Sequence, residues 1–175
     1  MADRLRLAIA QLNLVVGDVD ANAARVIAAA REARDRLKAD AVVFPELTLT
    51  SYPPEDLLLR LRLYERVCLA LGRVAAECAG IDVILGYPRR FDGQARNAVS
   101  VLRGGRVLAT YDKQLLPNYS VFDEKRYFVP GAAPCVVDIG GVPVGLTICE
   151  DIWAPEPARA AAAAGARLIV NLNAS

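Results

Sequence analysis

Leu5, Leu7 and Ile9 alternate with Arg6, Ala8 and Ala10, a period of two that predicts a strand ending near Gln11. After Gly17-Asp18 the period lengthens. Ala23, Val26, Ile27, Ala30, Ala33 and Leu37 recur at helical spacing, with Arg31, Arg34 and Arg36 turned outward. Residues 41–44 then form a short apolar run stopped by Pro45, the pattern of a strand buried on both faces. Proline and acidic residues in Pro53-Pro54-Glu55-Asp56 mark a helix start. Leu58, Leu61, Val67, Leu71, Val74 and Cys78 carry that helix, with room for a bend, to Gly80. Residues 82–85 read as another short buried strand.

Two hairpins follow, 99–102 with 107–111 across Gly104-Gly105 and 136–139 with 142–148 across Gly140-Gly141. Gly-Gly supplies the positive φ that a two-residue hairpin turn requires. An alanine-rich helix over 156–164, closed by Gly165, leads to a last strand over 167–172. The order β-α-β-α-β-β-β-β-β-α-β mixes crossovers with hairpins, which places the chain in the α/β or α+β class with a mixed sheet. At 175 residues it suits one core, with no repeat, linker or internal boundary. A buried strand running almost to Ser175 leads to the expectation of a C-terminally incomplete domain over 1–175.

Hydrophobic residues at 54% and charged residues at 23% exclude disorder and low-complexity classes. With 21 basic against 20 acidic side chains, nothing electrostatic favours a nucleic acid or an anionic membrane as partner. The absence of histidine changes the picture more. It removes a Ser-His-Asp triad, a Cys-His dyad within the chain and a His-ligated zinc, so any proton must travel on a carboxylate or a lysine. Cys68, Cys78, Cys135 and Cys149 show no C-x-x-C spacing and no metal-ligand pattern, and read as reduced thiols of a cytoplasmic protein. Charges in Met1-Ala2-Asp3-Arg4-Leu5-Arg6 do not suit a signal peptide. The uncharged stretch 139–149 has 11 residues, too few to span a bilayer.

Polar residues just past the ends of buried strands are where α/β proteins place their chemistry. Glu46 follows 41–44, Lys113 follows 107–111 and Cys149 follows 142–148. Taken singly, each has an ordinary reading: an inert buried thiol, a capping or solvated carboxylate, a surface ion pair of Lys113 with Asp112. Taken together, thiol, carboxylate and ammonium suffice for acyl transfer without histidine. The carboxylate takes the thiol proton, and the ammonium stabilises the oxyanion of the attacked carbonyl.

Phe44-Pro45-Glu46, the 112–117 segment Asp-Lys-Gln-Leu-Leu-Pro and the 148–153 segment Ile-Cys-Glu-Asp-Ile-Trp resemble, in order and separation, the three signature segments of the nitrilase (carbon–nitrogen hydrolase) superfamily. Two further segments, 52–57 (Tyr-Pro-Pro-Glu-Asp-Leu) and 116–128 (beginning Leu-Pro-Asn-Tyr), resemble the amidase domains of glutamine-dependent NAD synthetases. The resemblance implies a four-layer α-β-β-α sandwich and L-glutamine as substrate. Cys149 would be the nucleophile, Glu46 the general base and Lys113 the oxyanion stabiliser, with Glu124 as a supporting second glutamate or a surface charge. Tyr119, Glu150 and Ser175 would hold glutamine; Tyr119 could equally be a packing aromatic, and Glu150 a structural carboxylate. Trp153 would be pocket wall or core.

The resemblance implies no cofactor for this chain. ATP, Mg2+ and deamido-NAD would belong to a separate synthetase domain, and no G-x-x-x-x-G-K-[ST], G-x-G-x-x-G or S-G-G-x-D-S segment occurs here. Two other readings stay open, a stand-alone nitrilase-like amidase or carbamoylase, and an inactive assembly module. An incomplete sandwich would expose apolar faces, so a homo-oligomer is expected.

Overall fold

The computed structural model describes residues 4–174. Its strands form two sheets where the sequence order suggested one. The first contains β1 (Leu7–Ile9), β2 (Ala41–Val43), β3 (Asp82–Phe91), β4 (Gln94–Arg103) and β5 (Arg106–Asp112), in that spatial order. Its β1, β2 and β3 run parallel, and β4 and β5 return antiparallel. The second contains β6 (Val136–Ile139), β7 (Val142–Ile148) and β8 (Leu168–Leu172), with β6 antiparallel and β8 parallel to β7.

Three helices complete the layers. The α1 helix (Val19–Asp35) starts where the Asp18 side chain accepts the Ala21 N–H at 3.3 Å, a side-chain cap on its first turn. With α2 (Leu61–Glu77) it lays Val26, Ile27, Leu63, Val67 and Val74 on one face of the first sheet, against Val42, Val83 and Leu85. Because strand side chains alternate, Ala41, Val43 and Ile84 point to the opposite face. There, with Val99, Val101 and Tyr111, they meet Ile139, Val144, Leu146, Ile148 and Leu172 of the second sheet. The α3 helix (Pro155–Ala163) covers the outer face of that sheet. At Gly145 an added Cβ would lie 3.0 Å from Ala161 Cβ of that helix and 2.8 Å from Ile169 Cδ1 of β8. The result is the expected α-β-β-α sandwich.

Several expectations need correction. The helix start at Pro53 is a 3₁₀ turn over Glu55–Leu59, separated from α2 by Arg60 in an extended conformation (φ −93°, ψ 114°). Residues 82–85 are only the beginning of β3, which continues through Pro88 to Phe91. Pro88 lies opposite Asn97 on β4, whose carbonyl accepts from Lys113 on the β5 side. The pair is therefore a non-hydrogen-bonded one, and no ladder bond is lost. A third hairpin joins β3 to β4 across Asp92-Gly93, both at positive φ (50° and 75°), the turn that matches strand twist. Ile9, assigned by alternation to the buried side of β1, is 79% exposed. Among the described residues no helix is long and apolar enough to cross a membrane.

One glycine sets the path of the chain beyond β2. In the middle of β3, a Cβ on Gly86 would fall 2.5 Å from the Pro45 carbonyl oxygen, 2.8 Å from Leu47 N and 3.0 Å from Glu46 Cα. The segment leaving β2 thus crosses the sheet in contact with bare backbone, and these neighbours cannot rotate away. Replacing Gly86 with alanine is expected to destabilise the fold by about 1–3 kcal/mol, as overpacking does in close-packed interiors. Thermal or urea unfolding reads this as a lower midpoint.

Candidate active site

The chain leaves β2 at Pro45 and turns back through Leu47, which has φ 48°. Thr48 Oγ1 donates to the Pro45 carbonyl at 2.6 Å and Thr50 N–H to that of Leu47 at 3.0 Å. The turn carries Glu46 inward, 2% exposed, while its own N–H donates to the Asn173 carbonyl beyond β8 at 3.3 Å. Lys113 follows β5 directly. Its N–H donates to the Asn97 carbonyl and its carbonyl accepts from Gly131 N–H, both at 2.8 Å. Asp112 is held by a two-pronged contact from Arg89 at 2.7 and 2.6 Å. That removes the surface pairing of Asp112 with Lys113; Lys113 is fully buried.

Inside, Lys113 Nζ donates to Glu46 Oε1 at 2.8 Å and to Glu124 Oε1 at 2.9 Å. Glu124 opens a 3₁₀ turn over Glu124–Arg126 and is 5% exposed, so the surface-charge reading is overturned. Tyr52 hydroxyl also donates to Glu124 Oε1, at 3.2 Å. Asn97 Nδ2 donates to Glu46 Oε1 at 2.7 Å.

Cys149 begins the 3₁₀ turn Cys149–Ile152 at the end of β7 with φ 45°, a conformation that a non-glycine residue adopts only when its surroundings enforce it. Asp151 does much of the enforcing. Fully buried, its carboxylate accepts Ile148 N–H at 2.9 Å, Tyr111 hydroxyl at 2.8 Å, Gln114 N–H at 3.0 Å and Leu115 N–H at 2.8 Å. One side chain thus ties the cysteine turn to the backbone just past Lys113.

The electrostatics follow from crowding charges away from water. Burial works against the charge of Lys113, but Glu46 and Glu124 more than offset it, and its pKa is raised. Burial also raises Glu124, against the pull of Lys113. The Cys149 thiol is pushed up to about 11, by burial first and then by the Glu46 charge, with Lys113 opposing. At pH 7 such a thiol is ionised in about one molecule in ten thousand, so it could act as a nucleophile only with a base to take its proton. Both donors on Glu46 land on Oε1, leaving Oε2 without a lysine or amide donor. Lys113 commits two of its three N–H groups to carboxylates, which leaves the third to donate elsewhere.

A cavity of about 700 Å³ reaches this cluster through Glu46, Tyr52, Asn171 and Asn173. Cys149 is half-buried and does not itself line this cavity; its carbonyl accepts from Nδ2 of the lining residue Asn171 at 3.4 Å. Tyr119 and Glu150 are brought together, the hydroxyl lying 3.0 and 3.2 Å from the two carboxylate oxygens. Glu150 lines a second cavity of about 820 Å³ with Gln114 and the exposed Trp153, a wall residue and not core. Ser175 lies outside the described residues. Among those residues, no group of three or more metal-ligating side chains is placed to hold an ion.

The sequence reading missed Asn97, Tyr52 and Asp151. Asn97 had a signal, since asparagine is depleted from strands and this one stands directly before the apolar Ala98-Val99. Asp151 had a weaker one, as a carboxylate at a turn immediately after a strand. Tyr52 had none.

Comparisons with known proteins bear on the family and the fold. The chain is 48% identical over 176 residues to a glutamine-dependent NAD(+) synthetase of Xanthomonas campestris, covering 99% of this chain and 32% of that protein. A solved glutamine-dependent NAD+ synthetase from Acinetobacter baumannii superimposes with TM-score 0.93 at 36% identity, covering 98% of this chain and 32% of the other. An amidase of the nitrilase superfamily from Nesterenkonia superimposes with TM-score 0.86 at 28% identity, covering 99% and 66%. The chain thus spans about a third of the length of the curated relatives it matches. Residues 6–175 match the carbon-nitrogen hydrolase profile, and the chain belongs to that family.

Proposed function

We propose that this chain is the glutamine amidohydrolase domain of a glutamine-dependent NAD synthetase, releasing ammonia through a cysteine thioester. The observation that carries the reading is the buried Lys113 ammonium clamped between Glu46 and Glu124 beside the Cys149 turn. That arrangement has no use in a scaffold kept only for assembly, and its upkeep in a dry interior is costly.

In the proposed reaction Glu46 takes the Cys149 proton as sulfur attacks the side-chain amide carbon of L-glutamine. The tetrahedral oxyanion meets the remaining Lys113 N–H. Glu46 returns the proton to the nitrogen, the C–N bond breaks and ammonia leaves. Water then adds to the thioester with its proton passing to Glu46, and the C–S bond breaks to give glutamate and free thiol. Glu124 fixes the lysine from the far side. Tyr119 and Glu150 would receive the amino-acid end of the substrate, with Ser175 as a further contact. The ammonia would serve ATP-dependent amidation of deamido-NAD. ATP and Mg2+ are assigned to a synthetase domain of the longer protein and to no residue here. A cytoplasmic location and self-association belong to the same reading, the latter supported by exposed Ile9, Val121 and Trp153.

Cys149→Ala is expected to abolish ammonia release from glutamine and labelling by a glutamine-analogue electrophile, with ammonia assayed directly and the adduct located by peptide mass spectrometry. Undiminished release would refute the assignment. Preference for simple aliphatic amides over glutamine would favour the stand-alone amidase. Glu46→Gln is expected to slow turnover by about 10²-fold or more, the usual worth of a positioned base. Because the Glu46 charge helps raise the thiol, the same variant should bring the midpoint of Cys149 alkylation with pH below about 11. Light scattering is expected to give a mass above the 18.8 kDa of one chain.

A further inference from the structure

The base and the cation of this site are joined by a residue that belongs to neither. Asn97 sits inside β4, 1% exposed, and makes two separate connections. Its main-chain carbonyl accepts the Lys113 N–H at 2.8 Å, and its side-chain Nδ2 donates to Glu46 Oε1 at 2.7 Å. Glu46 Oε1 therefore has two donors, Asn97 and Lys113, arriving from different elements. A carboxylate with two donors on one oxygen cannot rotate freely about its last torsion without losing both.

The orientation of the amide is set by the same contact. Turned over, it would press Oδ1 against a carboxylate oxygen, acceptor against acceptor. In the orientation found, Oδ1 is buried and takes no partner among the described residues. Leaving a buried acceptor unpaired is unfavourable, so the donor half of the amide is the half that serves.

Resting on the reading of Glu46 as the base, we propose that Asn97 is a positioning residue for that base: its amide N–H holds Oε1 so that Oε2 is presented to the Cys149 thiol. Asn97 does not touch the substrate. The sheet supplies its rigidity, because Asn97 stands between β3 and the Lys113 end of β5 and cannot shift without moving both neighbours.

The test compares wild type, Asn97→Leu and the isosteric Asn97→Asp, all of which keep the main-chain link to Lys113. Ammonia release is measured with glutamine and with propionamide, alongside Cys149 alkylation over pH and thermal unfolding. For both variants kcat is expected to fall about tenfold or more with KM within about twofold, as for a group that acts on the reacting base and not on substrate binding. The alkylation midpoint should stay near 11 in Asn97→Leu, because Glu46 still stands beside the thiol. Wild-type kcat in Asn97→Asp overturns the inference whether or not Asn97→Leu folds. A fall that follows KM or the unfolding midpoint alone also overturns it, marking a structural role. Absence of ammonia from wild type on both amides overturns the proposed function and this inference together, whereas an active wild type, a slow Glu46→Gln and unaffected Asn97 variants overturn this inference alone.

Discussion

An ammonium taken out of water must be neutralised where it stands, and the architecture around Lys113 is arranged to do so. Nζ lies 2.8 Å from one carboxylate and 2.9 Å from another, and all three side chains are almost wholly buried. Removing a single partner from such a cluster leaves an uncompensated charge in the interior, a loss of about 3–5 kcal/mol. The two glutamates therefore have to arrive together, though they are 78 residues apart in sequence, Glu46 from the end of β2 and Glu124 from an isolated turn. Much of the fold serves that convergence. The parallel strands deliver Glu46, the antiparallel pair delivers Lys113, and the second sheet brings Cys149 within electrostatic reach of both.

The same crowding explains why the thiol rests in its neutral form. Burial disfavours the thiolate first, and the Glu46 charge adds to that against the opposing pull of Lys113. A resting thiolate, as found where cations or a helix N-terminus dominate, is disfavoured. In the proposed reaction, proton removal is instead coupled to attack, which suits a thiol facing an amide, an unreactive acyl donor with a poor leaving group. There the proton that leaves sulfur would be the one the departing nitrogen needs, and Glu46 would handle both transfers.

Most of the element pattern was legible because binary patterning and turn chemistry agreed locally. The hairpin across Gly140-Gly141 and the helix beginning near Val19 are cases where period and punctuation coincide. Legibility failed where a local signal was overruled from afar. The strand read over 82–85 runs on to Phe91, because Pro88 occupies a ladder position where no N–H is needed. Ile9 fits the alternation of β1 but has no layer over it. Glu46, Lys113 and Cys149 could be found because strand ends are predictable and their motifs are distinctive. Asn97 and Asp151 each carried a local sign of being out of place, but not of what they hold, since their partners lie 51 and 36–40 residues away.

Asp151 gives the site a mechanical property as well as a chemical one. Its single carboxylate grips the backbone before Cys149 and the backbone after Lys113 at once. Displacement of either segment therefore strains the other, and the Cys149 turn is coupled to the backbone beyond β5. In the proposed reaction, the distance a substrate carbonyl would have to bridge is thus held by one short carboxylate linkage in addition to the packing of two separate sheets.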